Sequence, residues 1–251
     1  MKPDLSHLAI IVTGAGRGLG AHVATHLASC GAVVGVADID PETSGLTAEK
    51  INADGGKAYS YAGDLSDQNT FLELADDFAE KCGRIDAIVN NAMHLHYCPV
   101  QEVTPEKLAI MVDIGVKAPF WSAQALLKHY DKEKGGQMIN MSSPVVSRGF
   151  PNTSAYSTVK GAVTTFTKVM GAELGPQNIR VNAVSPASVP TPGSMGMVSQ
   201  EEYEARAKWI PLRRIGTQED NSNAIAFLLS EEASFINGEV LNVDGGVSSS
   251  A

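Results

Sequence analysis

The chain has 251 residues, 43% of them hydrophobic and 19% charged, the balance of a globular protein with a sizeable core. A formal net charge of -9 argues against a nucleic-acid or anionic-membrane partner, because both require a basic surface. The three cysteines, Cys30, Cys82 and Cys98, are far apart and odd in number, which excludes a Cys-rich zinc site, argues against a disulfide framework and fits a reducing cytoplasm.

The N-terminal stretch MKPDLSHLAIIVTG lacks the long apolar region and cleavage site of a signal peptide. Its apolar run ends at Thr13-Gly14 and reads as a strand. No run approaches the ~18–20 apolar residues of a membrane span. Strands are expected over 8–12, 32–37, 57–62, 87–90, 137–142, 180–185 and 239–244. Several are apolar almost throughout, which suits strands buried on both faces of a parallel sheet. Helices are expected between them, over 19–29, 42–54, 67–82, 105–130, 153–174 and 219–230. Gly31, Gly55-Gly56, Cys82-Gly83 and Gly175-Pro176 close four of these. His22 and His26 share an i,i+4 spacing, but read as exposed histidines on the first helix rather than metal ligands. The alternation predicts an α/β fold, a doubly wound parallel sheet with helices on both faces, in a single domain over 1–251. The Pro-, Gly- and Met-bearing stretch at about 188–212 departs from the alternation and is expected to form a substrate lid ending in a short helix.

A glycine-rich turn follows the first strand and opens the first helix, with glycines at 14, 16, 18 and 20. Such a turn lets the backbone approach a pyrophosphate, while the helix N-terminus offers free N–H groups to the phosphates. Asp38 closes the second strand, 18 residues after Gly20. A carboxylate there accepts both hydroxyls of an adenosine ribose and repels the 2′-phosphate of NADP, so NAD is expected over NADP. Arg17 points the other way. The pattern Thr-Gly-x-x-x-Gly-x-Gly, from Thr13 to Gly20, resembles the short-chain dehydrogenase/reductase family, and the resemblance extends over nearly the whole chain.

The resemblance implies a Rossmann-like domain that binds a nicotinamide dinucleotide. Its expected contacts are Thr13, Gly14, Arg17, Gly18, Leu19, Gly20, Asp38, Ile39, Asp64, Leu65, Asn91, Ala92, Tyr156, Lys160, Pro186, Val189 and Thr191. It also implies a catalytic set. Ser143 ends the fifth strand, Tyr156 follows thirteen residues on, and Lys160 four beyond that, one turn above Tyr156 on the same helix face. Hydride transfer between an alcohol carbon and nicotinamide requires a proton to leave or reach the oxygen. A free tyrosine, with a pKa of about 10, is protonated at neutral pH. Lys160 and the positive nicotinamide ring are expected to favour its phenolate. Ser143, Val145 and Tyr156 are expected to touch substrate, in a pocket with Met93, Phe150, Met195, Met197 and Trp209 whose apolar character suggests a secondary alcohol or ketone. The C-terminal run FINGEVLNVDGG also matches the family, where this end usually helps form a tetramer.

Three positions depart from the family pattern. Met93 and Ala187 stand where relatives usually have glycine, and Gly115 stands where relatives have a fourth catalytic residue, an asparagine. Met93 is expected to narrow the space beside the nicotinamide or shift the loop after it. Asp113 lies roughly 200° around an ideal helix from Gly115 and is a poor substitute. Gly115→Asn is expected to fit. The expected activity is that of an NAD-dependent short-chain alcohol dehydrogenase or ketone reductase. Two alternatives stand beside it: an NADPH-dependent ketone reductase, and a weakly catalytic cofactor-binding sensor or scaffold.

Overall fold

A computed structural model describes residues 2–191 and 198–250. Seven parallel strands form one sheet in the order β3-β2-β1-β4-β5-β6-β7. They are β1 (Ala9–Thr13), β2 (Val33–Asp38), β3 (Lys57–Ala62), β4 (Ala87–Asn90), β5 (Gly136–Met141), β6 (Ile179–Pro186) and β7 (Val240–Val243). Side chains along β1 alternate between two cores. Ile10 and Val12 face one, Ile11 the other. The first core is closed by α1 (Gly18–Ser29), α2 (Pro41–Ala53) and α8 (Gln218–Leu229), through Val23, Leu27, Ile51, Ile225 and Leu228. The second is closed by α3 (Gln68–Cys82), α5 (Ala118–His129) and α6 (Ser154–Leu174), through Phe71, Phe78, Leu126, Met170 and Leu174. Helices therefore cover both faces of a doubly wound, Rossmann-like sheet. The chain winds outward from β1 to β3, then crosses back to β4 on the other side of β1. That reversal opens a crevice beyond the carboxyl ends of β1 and β4, where open α/β sheets bind ligands.

Three local expectations change. The helix expected over 105–130 is broken into α4 (Pro105–Val112), a π-helical turn (Asp113–Lys117) and α5. Pro119 has no N–H, so the ordinary bond from residue 119 to the Gly115 carbonyl cannot form, and the ladder widens there. Gly175 does not end its helix in the left-handed region. The chain continues through a 3₁₀ turn (Gly175–Gln177), and Asn178 takes the positive φ of 60°. His26 is buried, not exposed, because α8 covers that side of α1. His22 bonds Ser222 at 2.8 Å, and Glu219 lies 3.4 Å from His22 and 3.6 Å from His26. Burial lowers the His26 pKa, while Glu219 pulls it up. Among the described residues, no group of three His, Cys, Asp or Glu is arranged to hold a metal, and no helix is long and apolar enough to cross a membrane.

Candidate active site

The glycine turn lies at the mouth of the crevice. Gly14 and Gly18 take φ of 62° and 60°, the left-handed region that favours glycine. A side chain at Gly20 would run into the Gly14 carbonyl. Arg17 is the N-cap of α1, without a side-chain cap bond, and no acidic residue lies in the first turn. The N–H groups at this helix start are thus left to an anion, which fits a pyrophosphate. Arg17 is exposed and has no carboxylate partner among the described residues.

Asp38 stands at the end of β2 beside this turn. Its Oδ2 accepts from the Gly16 N–H at 2.8 Å and its Oδ1 from the Asp40 N–H at 3.2 Å. The carboxylate is therefore fixed against the turn, a placement that fits a ribose diol. Ile39, next in sequence, is 70% exposed and offers an apolar surface there. Asp64 is exposed, and its Oδ1 accepts from the Ser66 N–H at 3.0 Å and the Ser66 hydroxyl at 2.7 Å. The Leu65 side chain is buried in the second core, leaving only its backbone for a ligand.

Thr13 and Asn91 do a different job from the direct contact expected of them. The Thr13 hydroxyl donates to the Val89 carbonyl at 3.3 Å and accepts from the N–H groups of Asn91 and Ala92, both at 3.0 Å. The Asn91 amide donates to the carbonyls of Thr13 and Gly14, both at 3.0 Å. Together they clamp the end of β4 to the glycine turn. On the far side of the crevice, Pro186 ends β6. Val189 and Thr191 follow in the loop toward α7 (Gln200–Trp209). Met195 and Met197 lie outside the described residues, as does the lid between 192 and 197. α7 forms as expected, opened by a capping box of Ser199 and Glu202.

Ser143, Tyr156 and Lys160 converge beyond the ends of β4 and β5. Ser143 is 9% exposed, and its hydroxyl lies within hydrogen-bonding reach of the Tyr156 phenol. Lys160, one turn along α6, is 5% exposed and sets its Nζ 5.6 Å from the centroid of the Tyr156 ring. The same Nζ donates to the Met141 carbonyl at 2.6 Å, which ties α6 to the end of β5. Burial lowers the Lys160 pKa to about 8. Burial also pushes the Tyr156 phenol up; Tyr97 adds to the rise and Ser143 opposes it. The protein's own groups thus keep this phenol protonated, contrary to the lowering expected from Lys160.

Behind Lys160 lies a cavity of about 10 Å³, the size of one water, bordered by Thr13, Asn90, Gly115, Asn140 and Lys160. A polar network unread from the sequence supports it. Asn90 donates to Asn140 at 2.8 Å and to Ser122 at 2.9 Å, and Asn140 donates to Thr167 at 2.9 Å. Gly115 is buried against α6, so Gly115→Asn does not fit as expected. An added Cβ would overlap Val159 Cγ1 and stand 3.0 Å from Met93 Sδ. Met93 thus packs over Gly115, so two of the departures from the family pattern meet in space. Asp113 pairs with Lys117 at 2.6 Å and does not stand in for the missing amide.

Tyr97, which no sequence signal singled out, meets the Tyr156 ring edge-on at 5.3 Å between centroids. Outside this cluster, Val145 and Phe150 border a groove of about 480 Å³ together with Pro99, Val100, Asn152 and Ser157. Trp209, at the end of α7, is 45% exposed.

A family model described as enoyl-(acyl carrier protein) reductase matches residues 14–248. The chain belongs to the short-chain dehydrogenase/reductase family. It is an oxidoreductase of a family that uses nicotinamide cofactors on small-molecule substrates. A cyclopentanol dehydrogenase from Comamonas sp. is 36% identical over 239 residues, covering 94% of this chain and 95% of the relative. A solved 7 alpha-hydroxysteroid dehydrogenase, complexed with NADH and 7-oxo glycochenodeoxycholic acid, is 29% identical with a TM-score of 0.91, covering 95% of this chain and 93% of that one. A short-chain dehydrogenase from Burkholderia cenocepacia in complex with NADP is 27% identical with a TM-score of 0.90, covering 97% of this chain and 99% of that one.

Proposed function

We propose that this short-chain dehydrogenase/reductase interconverts a secondary alcohol and its ketone with NAD, using Tyr156 as the proton donor and acceptor. The convergence of Ser143, Tyr156 and Lys160 at the crevice carries this reading. A bound nicotinamide would supply the hydride acceptor or donor. Ser143 holds the substrate oxygen beside the Tyr156 hydroxyl. A phenol kept protonated by burial is ready to donate to a ketone oxygen. Lys160, still largely protonated at neutral pH, adds positive charge behind the ring and reaches toward the nicotinamide ribose. Val145 bounds the substrate on the outer side. Asp38, held by the Gly16 N–H, supports NAD over NADP through repulsion of a 2′-phosphate. The exposed Arg17 favours the second reading, an NADPH-dependent reductase. The protein works in the cytoplasm as a homotetramer; exposed apolar side chains such as Phe120, Val169 and Phe235 support such an assembly.

The test is a steady-state screen of cyclopentanol, cyclohexanol and their ketones with both cofactor pairs. Turnover with NAD(H) is expected, with kcat/KM about tenfold or more above NADP(H), equivalent to about 1.4 kcal/mol of discrimination. Equal or better values with NADP(H) would contradict the cofactor assignment. NADH binding without turnover on any substrate would favour the sensor instead.

A further inference from the structure

The Tyr156 hydroxyl is buried, so a proton it takes from an alcohol must reach water through a neighbour. Two other hydroxyls lie within hydrogen-bonding reach of it, those of Ser143 and Tyr97. Ser143 is 9% exposed and leads no further outward, whereas Tyr97 is 43% exposed. On the inner side, Lys160 is committed to the Met141 carbonyl, and the cavity behind it has room for about one water. Met93 and Val159 fill the space over Gly115, so no side-chain amide can extend a path there.

Tyr97 is firmly placed. Its ring stands at 82° to that of Tyr156. The next residue, Cys98, is buried, and its N–H donates to the Asn152 carbonyl at 2.9 Å, just before α6. This bond fastens the loop after β4 to the element that carries Tyr156. From α7, the charge of Arg206 favours the Tyr97 phenolate, while burial opposes it. Arg206 is itself held by a 3.0 Å bond to the Ser188 hydroxyl.

We propose that Tyr97 is a positioning residue that passes the proton between Tyr156 and water in the open cleft. The inference rests on the role proposed above for Tyr156. In alcohol oxidation the C–H bond gives its hydride to the nicotinamide, and the O–H bond gives its proton to the Tyr156 oxygen. That proton then passes to the Tyr97 oxygen as the O–H proton of Tyr97 leaves for water. The products are ketone, reduced nicotinamide and one proton in solvent; ketone reduction runs the same path backward.

Tyr97→Phe keeps the ring and its edge contact and removes only the hydroxyl. The experiment is a single-turnover oxidation of cyclopentanol with NAD in weak buffer. NADH is followed by absorbance and released protons by an indicator dye. In the wild type the two signals should rise together. In Tyr97→Phe, proton release should lag by about tenfold, within the range of lost proton-transfer assistance. Imidazole buffer should restore it, and NADH affinity should stay unchanged. Proton release that keeps pace in Tyr97→Phe, or a lag that imidazole does not relieve, overturns the proposal and leaves Tyr97 as packing. Tyr156→Phe in the same assay separates the two layers. If it forms NADH at the wild-type rate, the role of Tyr156 fails and the proposal falls with it. A wild type that oxidises neither cyclopentanol nor any other secondary alcohol overturns both.

Discussion

Each polar side chain in this site is held by bonds within the protein, and those bonds set what a substitution does. Asp38 is fixed by the Gly16 N–H, so Asp38→Ala removes a repulsive charge and also loosens the glycine turn. The expected result is a lower kcat/KM with NAD and a narrower gap between the cofactors, read from kinetics with each. Lys160 illustrates the cost of a buried charge. Its pKa falls from 10.5 to about 8 through burial, so the unfolded chain binds the proton more tightly. Stability from this group is therefore least below about pH 8 and rises toward pH 10.5, by on the order of 3 kcal/mol in the limit. Lys160→Met should be inactive yet about 1–3 kcal/mol more stable than wild type at pH 7, with the gain shrinking as pH rises through that window. Urea unfolding across pH checks it; a gain independent of pH would contradict the assignment. Lys160, Tyr156 and Ser143 were legible in the sequence because their spacing is local, one helix turn and one strand end. Tyr97 was not, because its contact with Tyr156 exists only once the loop after β4 is bonded to Asn152.

The break between α4 and α5 shows what the sequence leaves out at the scale of elements. Hydrophobic periodicity continues through 105–130, so one helix was the natural expectation. The π turn depends on Pro119 withholding a donor and on α6 packing against Gly115. The same packing reverses the expectation for Gly115→Asn. The variant should lose about 1–3 kcal/mol to overpacking against Val159 and Met93. Adding Val159→Ala should return part of that loss. A double-mutant cycle by thermal or urea unfolding should give a coupling of about 0.5 kcal/mol or more. Additive effects would mean that the two positions do not share the space. The misplaced His26 has a similar origin, since nothing within α1 reveals that α8 lies across it. The capping boxes of α7 and α8 and the N-cap Asp40 of α2, by contrast, are local patterns that fold as such.

For the whole molecule, the parallel sheet follows from runs such as AIIVT and VVGVAD, which are too apolar to leave either face in water. All seven strands fall within about two residues of where they were expected. Strand order is less local. It shows only in the right-handed winding that brings Thr13 and Asn90 to one crevice, and with them the glycine turn, Asp38 and the Ser143 cluster. The arrangement assigns one task to the crevice: moving a hydride and a proton between alcohol and cofactor, with Tyr156 handling the proton. The most direct test compares wild type and Tyr156→Phe for turnover of cyclopentanol with NAD, alongside NADH binding by fluorescence. Removal of the hydroxyl should lower kcat by about 10²–10⁴-fold and leave NADH affinity close to wild type. Retention of more than about a tenth of the wild-type rate, with NADH binding intact, would contradict it.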